Sequence, residues 1–402
     1  MQSKKENKKI KLGFLVSHPI QYQAPLFKEI AKQQGIDFKV LFFSDKSLRP
    51  NLDKHFNQII KWDIPLLDGY AHEFLPSIGS KEQISFWRPF NYGLIKRLKT
   101  ERFDALIMHG YDHKNCIHAI LSAKKLGIKT LMRGESNLIS APRGPLKLFL
   151  KMKILKWLFS KIDGFLAIGS LNKDYYINYG VSGNKIIKMP YAVDNRSFQK
   201  SISIAQHIRE DFRSSLCLEK GRPIILYAGK LQARKHPMDL LEAYIRLSNN
   251  DKQEPSPYLL FVGDGEQRQR LEKRAQQTGW SSIRFLGFQN QTQLPAFMEL
   301  CDVFVLPATH EPWGLIVNEV MNAGKPIIVS DQVGCGPDLI EDGKNGFIFP
   351  ARNISALTNS LHKTFQNPDL AREMGAKSFE KINSWGFKED IAGLRKALEK
   401  II

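Results

Sequence analysis

Short, nearly unbroken apolar runs recur along this chain, separated by longer stretches in which apolar residues return every three or four positions. In the first half the runs are Leu12–Ser17, Phe38–Ser44, Ala105–His109, Thr130–Arg133, Phe165–Gly169 and Ile186–Met189. A strand covered on both faces needs this kind of run, because side chains on both sides of the sheet are buried. Between the runs, Ala24–Gln34, Asn91–Thr100 and Asn115–Leu126 carry helical spacing. Strands alternating with helices predict a parallel sheet with helices on both faces.

The pattern then restarts. Ile224–Ala228, Tyr258–Val262, Ile283–Leu286, Val303–Leu306, Ile327–Ser330 and Gly346–Phe349 read as strands, with helices such as Met238–Leu247, Gln267–Thr278 and Ser355–Gln366 between them. The polar, mixed stretch Tyr191–Gly221 reads as a linker. The expected organisation is therefore a Rossmann-like domain over residues 1–195 and a second over 196–384, with a C-terminal helix in 385–402 packing back on the first. Two such domains face each other across a cleft at the carboxyl ends of their strands, where ligands of this fold class bind.

Composition narrows the class. Hydrophobic residues make up 43% and charged residues 25% of 402, which are globular values. No apolar run reaches the roughly 20 residues that span a bilayer. The start, MQSKKENKKIKLGFLVSH, is basic and then apolar only from Leu12 to Val16. That is shorter than the about 7–15 apolar residues of a signal peptide, so it reads as a basic tail before a buried strand in a cytoplasmic protein. Cys116, Cys217, Cys301 and Cys335 are widely spaced, without a C-x-x-C pair or a nearby His, and read as free buried thiols.

Residues 1–195 hold 32 Lys+Arg against 16 Asp+Glu, whereas residues 196–402 hold 27 against 24. A basic first half suits an anionic membrane surface, a nucleic acid or an acidic substrate, the alternative being a merely solvated lysine-rich surface. Within it, Pro145–Asp163 is apolar with lysines at 147, 151, 153, 156 and 161. These scatter around a helical wheel, so the segment reads as a domain helix with snorkelling lysines rather than an amphipathic membrane helix.

The strongest chemical signal is Ala308–Gly324, A-T-H-E-P-W-G-L-I-V-N-E-V-M-N-A-G. It follows the strand Val303–Leu306, turns at Pro312 and Gly314, and becomes helical from Leu315 until Gly324 and Pro326 end it. A helix beginning at Gly314 would turn free N–H groups toward a diphosphate. Glu311 lies just outside that end and Glu319 about 7–8 Å inside it, at ~1.5 Å per residue. Carboxylates so placed can take hydrogen bonds from sugar and ribose hydroxyls while avoiding the phosphates. The turn Gly229–His236, G-K-L-Q-A-R-K-H, supplies Lys230, Arg234 and Lys235, cations suited to a leaving diphosphate. Taken alone it would be an ordinary basic loop. Val262–Glu266, V-G-D-G-E, is weak by itself and gains weight from its place in the series.

In this order the motifs resemble the retaining glycosyltransferases of family 4, strongly over residues 221–350 and loosely before. Further matching pieces are Phe285–Phe288, Pro326–Asp331, Gly334–Asp338 and Gly343–Gly346. The resemblance implies the GT-B fold, with Glu311 of the Glu-x7-Glu motif on the transferred sugar and Glu319 on the ribose. It implies a diphosphate held by Lys230, Arg234, Lys235 and the Gly314–Leu315 helix start, and a base facing the backbone of Gly287 and Phe288. The family's Gly-Arg-Leu turn is here Gly229-Lys230-Leu231, which keeps the charge and loses the bidentate fork. The family's glycines after its first strand are absent, since this chain has Ser17-His18-Pro19-Ile20-Gln21-Tyr22.

The first half should carry the acceptor. His18 and His109 end two strands, and His109 matches a cleft histidine of several relatives, so His109 joins Glu311 and Lys235 as a catalytic candidate. Arg133 and Glu135 end another strand and are acceptor-cleft candidates with His18. Tyr111, Asp112 and His113 are weaker.

The expected activity is hexosyl transfer with retention, from a UDP- or GDP-linked sugar to a saccharide or lipid-linked acceptor of envelope polysaccharide or lipopolysaccharide. It should need no metal and no cofactor beyond the nucleotide-sugar, and could work peripherally at the inner face of the membrane. A sugar-nucleotide epimerase or a phosphorylase on the same fold is the alternative. Nucleic-acid binding is the distant one, since no basic run carries interleaved aromatics.

Overall fold

In a computed structural model of the chain, the described residues are 9–53, 58–79, 84–139, 144–250 and 255–402. The first eight residues, most of the basic tail expected above, lie outside them. The chain packs into two units. One comprises Met1–Asn51, Ile64–Tyr191 and Phe387–Ile402; the other comprises Leu52–Asp63 and Ala192–Gly386. The division thus falls after Tyr191 rather than after residue 195, and a short excursion from the first half is counted with the second unit.

The first unit contains β1 (Ile10–Val16), β2 (Ile36–Phe42), β5 (Ala71–Phe74), β6 (Ala105–His109), β7 (Lys129–Arg133), β8 (Gly164–Ala167) and β9 (Ile186–Lys188). They form one sheet in the order β5-β2-β1-β6-β7-β8-β9, parallel throughout. Alternate residues of β1 enter different cores. Leu12, Phe14 and Val16 pack with Phe27 and with Leu394 and Leu398 of the last helix, whereas Leu15 packs with Leu106, Met108 and Phe165. This is why the strands read as continuous apolar runs. The remaining pair, β3 (Asn51–Asp53) and β4 (Gln58–Ile60), makes a separate two-stranded sheet.

The second unit contains β10 (Ile224–Ala228), β11 (Tyr258–Val262), β12 (Ile283–Phe285), β13 (Val303–Leu306), β14 (Ile327–Ser330) and β15 (Gly346–Phe349). Their order is β12-β11-β10-β13-β14-β15, again parallel. Numbered within the unit this is 3-2-1-4-5-6, the doubly wound dinucleotide-binding order. The expected linker is not a plain one. Asn195–His207 and Arg209–Ser215 are helices that pack on the helix Leu294–Leu300. Together the two sheets give the GT-B fold of two Rossmann-like units.

Candidate functional site

In an open α/β sheet, ligands gather where strand order reverses. In the second unit that point lies between β10 and β13, and the loops leaving those two strands carry the basic turn and Glu311. Lys235 reaches back over Gly229 and its Nζ stands 2.9 Å from Glu311 Oε2. Arg234 lies 3.5 Å from the same oxygen and donates to the His310 carbonyl at 2.9 Å. The two loops are also tied through backbone, Thr309 N–H donating to the Arg234 carbonyl at 2.9 Å. Lys230 is half-buried on the same turn, its carbonyl accepting from the Tyr227 hydroxyl.

The V-G-D-G-E motif acts as a brace. Leu231 N–H donates to the Asp264 carbonyl, Gln267 N–H to the Leu231 carbonyl, and Ala233 N–H to Glu266 Oε1. These bonds hold the basic turn from its far side. The Gly287 carbonyl, expected near the base, accepts from Gly263 N–H at 2.7 Å, with Phe288 following it.

Glu311 is fixed by the loop after β14. Glu311 N–H donates to the Gln332 carbonyl and Gly334 N–H to the Glu311 carbonyl. Only glycine fits at 334, since a Cβ there would lie 1.9 Å from the Pro312 carbonyl oxygen. Gly314 adopts φ +96°, which turns the chain into the helix Leu315–Met321. With seven residues that helix carries only a short dipole, weaker than its start in the sequence alone suggested.

Glu319 is buried on this helix, and burial pushes its carboxyl up to about 8. Behind it runs a polar seam. Trp313 Nε1 donates to Asn318 Oδ1 at 2.9 Å, and Asn322 Nδ2 donates to Asn318 O and Asn195 Oδ1. Asn195 in turn donates to the Ile382 carbonyl. Trp313 stacks on Trp385 at 5.8 Å. The loop holding Glu311 is thus pinned to the first and last helices of its own unit.

In the first unit strand order reverses between β1 and β6; His18 lies just past β1 and His109 is the last residue of β6. Gln23 Nε2 lies 3.1 Å from His109 Nε2, and that nitrogen is 3.8 Å from Glu135 Oε1. Tyr22 donates to Glu135 Oε1 at 3.3 Å, and Tyr191 donates to the same oxygen. Burial acts to raise the Glu135 carboxyl, but His109 and the two phenols outweigh it and hold the group below its ordinary value. His18 accepts or donates at Ser17 Oγ, 2.8 Å away. Burial, with Lys46 and His109 nearby, depresses it to about 4. His18, His109 and Glu135 therefore come together around Tyr22, Gln23 and Tyr191, which the sequence pattern did not single out.

Arg133 requires correction. It is buried and donates to Asp390 Oδ2 at 3.0 Å and to the Pro190 carbonyl. It is an internal ion pair holding the last helix, not an open cleft residue. Burial raises Asp390 to about 6, against the pull of Arg133. His113 caps the helix Lys114–Lys125 and bonds the Arg88 carbonyl, a structural role. Three cysteines are buried as expected, but Cys217 is exposed. No group of three or more His, Cys, Asp or Glu among the described residues is arranged to hold a metal.

Residues 208–381 match the family model described as Glycosyl transferases group 1. An uncharacterized glycosyltransferase of Methanocaldococcus jannaschii is 25% identical over 77% of this chain and 92% of its own length. A lipopolysaccharide core biosynthesis glycosyltransferase of Rhizobium meliloti is 28% identical over 42% of this chain and 47% of its own. The crystal structure of Anabaena HepE in complex with UDP superposes with a TM-score of 0.72 at 16% identity, covering 97% of this chain and 99% of HepE. The chain thus resembles the group 1 glycosyltransferases in sequence over residues 208–381 and GT-B glycosyltransferases in fold.

Proposed function

We propose that this chain is a retaining, hexosyltransferase-type glycosyltransferase whose second unit holds a nucleotide-sugar and whose first unit receives a saccharide or lipid-linked acceptor. One observation carries it. At the strand-order reversal of a sheet with dinucleotide-binding order, Glu311 lies within 2.9 Å of Lys235 and 3.5 Å of Arg234, beside the helix that buries Glu319. A carboxylate held by two cations suits a ligand with hydroxyls and a diphosphate side by side. The cations exchange the carboxylate for phosphate oxygens as the ligand enters, and Glu311 turns to the sugar hydroxyls.

The reaction breaks the bond between the anomeric carbon and the diphosphate oxygen. It forms the new glycosidic bond on the same face. The acceptor proton passes to the departing diphosphate, so the products are a glycoside and a nucleoside diphosphate. Lys230, Arg234 and Lys235 stabilise the charge on that leaving group, and no step calls for a divalent metal or a protein nucleophile. HepE was solved with UDP and with UDP-glucose, which makes a uridine-linked hexose the first donor to test. The lipopolysaccharide enzyme among the relatives and the basic first half favour an envelope acceptor met at the cytoplasmic face of a membrane. No helix among the described residues is long and apolar enough to cross one.

The test is a panel of UDP-, GDP- and ADP-sugars scored for hydrolysis and thermal stabilisation with a chelator present, then repeated on two variants. Glu319→Ala should weaken binding of the free nucleotide about tenfold or more, whereas Glu311→Ala should chiefly lower turnover, by about 100-fold. Equal nucleotide affinity in Glu319→Ala and wild type would remove the ribose assignment, and activity restored only by added metal would remove the cationic one.

A further inference from the structure

The helix Pro145–Phe159 buries apolar residues only near its C-terminal end and leaves most of its other large apolar side chains exposed, Leu148 and Phe149 among them. Leu155, Leu158 and Phe159 are buried in the first unit's core. On the opposite side, at about 100° per residue, Leu146, Leu150, Ile154 and Trp157 follow one another at spacings of four, four and three. They are 70%, 51%, 60% and 51% exposed. Lys147 and Lys153 border this outer stripe, with Lys156 and Lys161 beyond. Lys151 instead lies on the covered side, its Nζ 5.1 Å and 5.0 Å from the Tyr175 and Tyr179 ring centroids.

A surface helix of a soluble domain needs only the apolar side that it buries, so the exposed stripe is there for a partner. We infer that this helix docks the protein on an anionic lipid bilayer, laying Leu146, Leu150, Ile154 and Trp157 into the acyl boundary with the lysines at the phosphates. Charge selects this occupant. From Gly144 to Ile162 the sequence contains five lysines and no acidic residue. Protein interfaces are depleted in lysine at their centres, whereas interfacial helices combine Leu, Phe and Trp with lysines whose stems reach up to the headgroups. Lys153 Nζ lies 4.6 Å from the Phe149 ring centroid and Lys161 Nζ 5.7 Å from that of Trp157, so ammonium groups and exposed aromatics already share one surface. Residues 144–150 are exposed at every position, so the start of the helix stands clear of the domain. This names the docking element for the peripheral-membrane part of the reading above and is independent of the chemistry at Glu311.

Sedimentation with sucrose-loaded phosphatidylcholine vesicles, with and without phosphatidylglycerol and at low and high salt, tests it on the full chain. Wild type should bind the anionic vesicles and be released by salt. Leu150→Glu with Ile154→Glu, and separately Lys147→Glu with Lys153→Glu, should each weaken binding at least about tenfold. Brominated acyl chains should quench tryptophan emission, and Trp157→Phe should remove most of that quenching. Melting temperature and UDP affinity should be unchanged in all variants, which separates this outcome from failure of the transferase reading. Wild-type-like binding by both double variants would overturn the inference while leaving peripheral association intact. No vesicle binding by wild type would overturn both. A concentration-dependent dimer abolished by the glutamate pair, without vesicle binding, would overturn it in favour of self-association.

Discussion

Glu311 and Glu319 are the same residue type in opposite electrostatic settings. Glu311 lies against two cations, whereas burial pushes Glu319 up to about 8. At neutral pH Glu319 therefore holds its proton while the site is empty. Ribose hydroxyls donating to it favour the carboxylate, so binding should lower its value and release about one proton per nucleotide near pH 7. Affinity for UDP should rise with pH and level off above about 8, whereas Glu319→Gln should bind more weakly and lose that slope. Calorimetry in buffers of different ionisation heat reads the proton directly, and identical heats in wild type across buffers would contradict the assignment. The sign for stability is the reverse. Below the ordinary carboxyl range both folded and unfolded chains hold the proton; as pH rises toward 8 the unfolded chain releases it first, so this group's contribution is lost across that window. Glu319→Gln should accordingly melt higher than wild type at pH 8 and by a smaller margin at pH 5.

At the scale of elements, the loop Glu311–Gly314 is positioned by parts remote in sequence. Trp313 stacks on Trp385, and Asn318 and Asn322 bond through Asn195 to the Ile382 carbonyl. Trp385→Ala opens a cavity behind the loop, which typically costs about 3–5 kcal/mol for a buried tryptophan. It should also weaken UDP binding several-fold with no contact to the ligand; an affinity equal to wild type in the folded variant would show the stack to be structural only. Sequence pattern could not foresee this seam, because it joins residues up to 190 positions apart. It could foresee the strands, since burial on both faces leaves an apolar run, as in β10 and β13. It missed β5 for the converse reason. That strand is Ala-His-Glu-Phe at the sheet edge, and Glu73 pairs with Lys39 and Arg97. The helix Asn195–His207 buries only Ala205 among its residues, so its composition looked like a linker. The motif around Glu311 was legible because its residues are adjacent in sequence, whereas Tyr191 and Gln23 reach Glu135 and His109 across 56 and 86 residues.

For the whole molecule, the chain's return to its first unit matters most. The last helix, Phe387–Ile401, packs on β8, β9 and the helix Ala24–Ala31. It buries Leu394, Ala397 and Leu398 completely or nearly so, and supplies Asp390 to the buried Arg133. Deleting residues 387–402 would expose that core, at about 1.5–3 kcal/mol for each large apolar side chain. It would also strand the Arg133 charge, for about 3–5 kcal/mol more. Together these rival the whole stability of a domain, about 5–15 kcal/mol. The truncated chain should therefore lose its first unit and keep the second, whose sheet takes no strand from the deleted region. Calorimetry should show one remaining transition, and UDP at about 100 times its dissociation constant should stabilise it by about 2.7 kcal/mol. Asp390→Asn, which keeps the helix and leaves Arg133 unpaired, should fall between wild type and truncation, with UDP affinity unchanged. An unaltered melting profile after truncation, or loss of UDP binding together with the first unit, would mean that the second unit is not the self-sufficient donor module inferred from its sheet and its motifs.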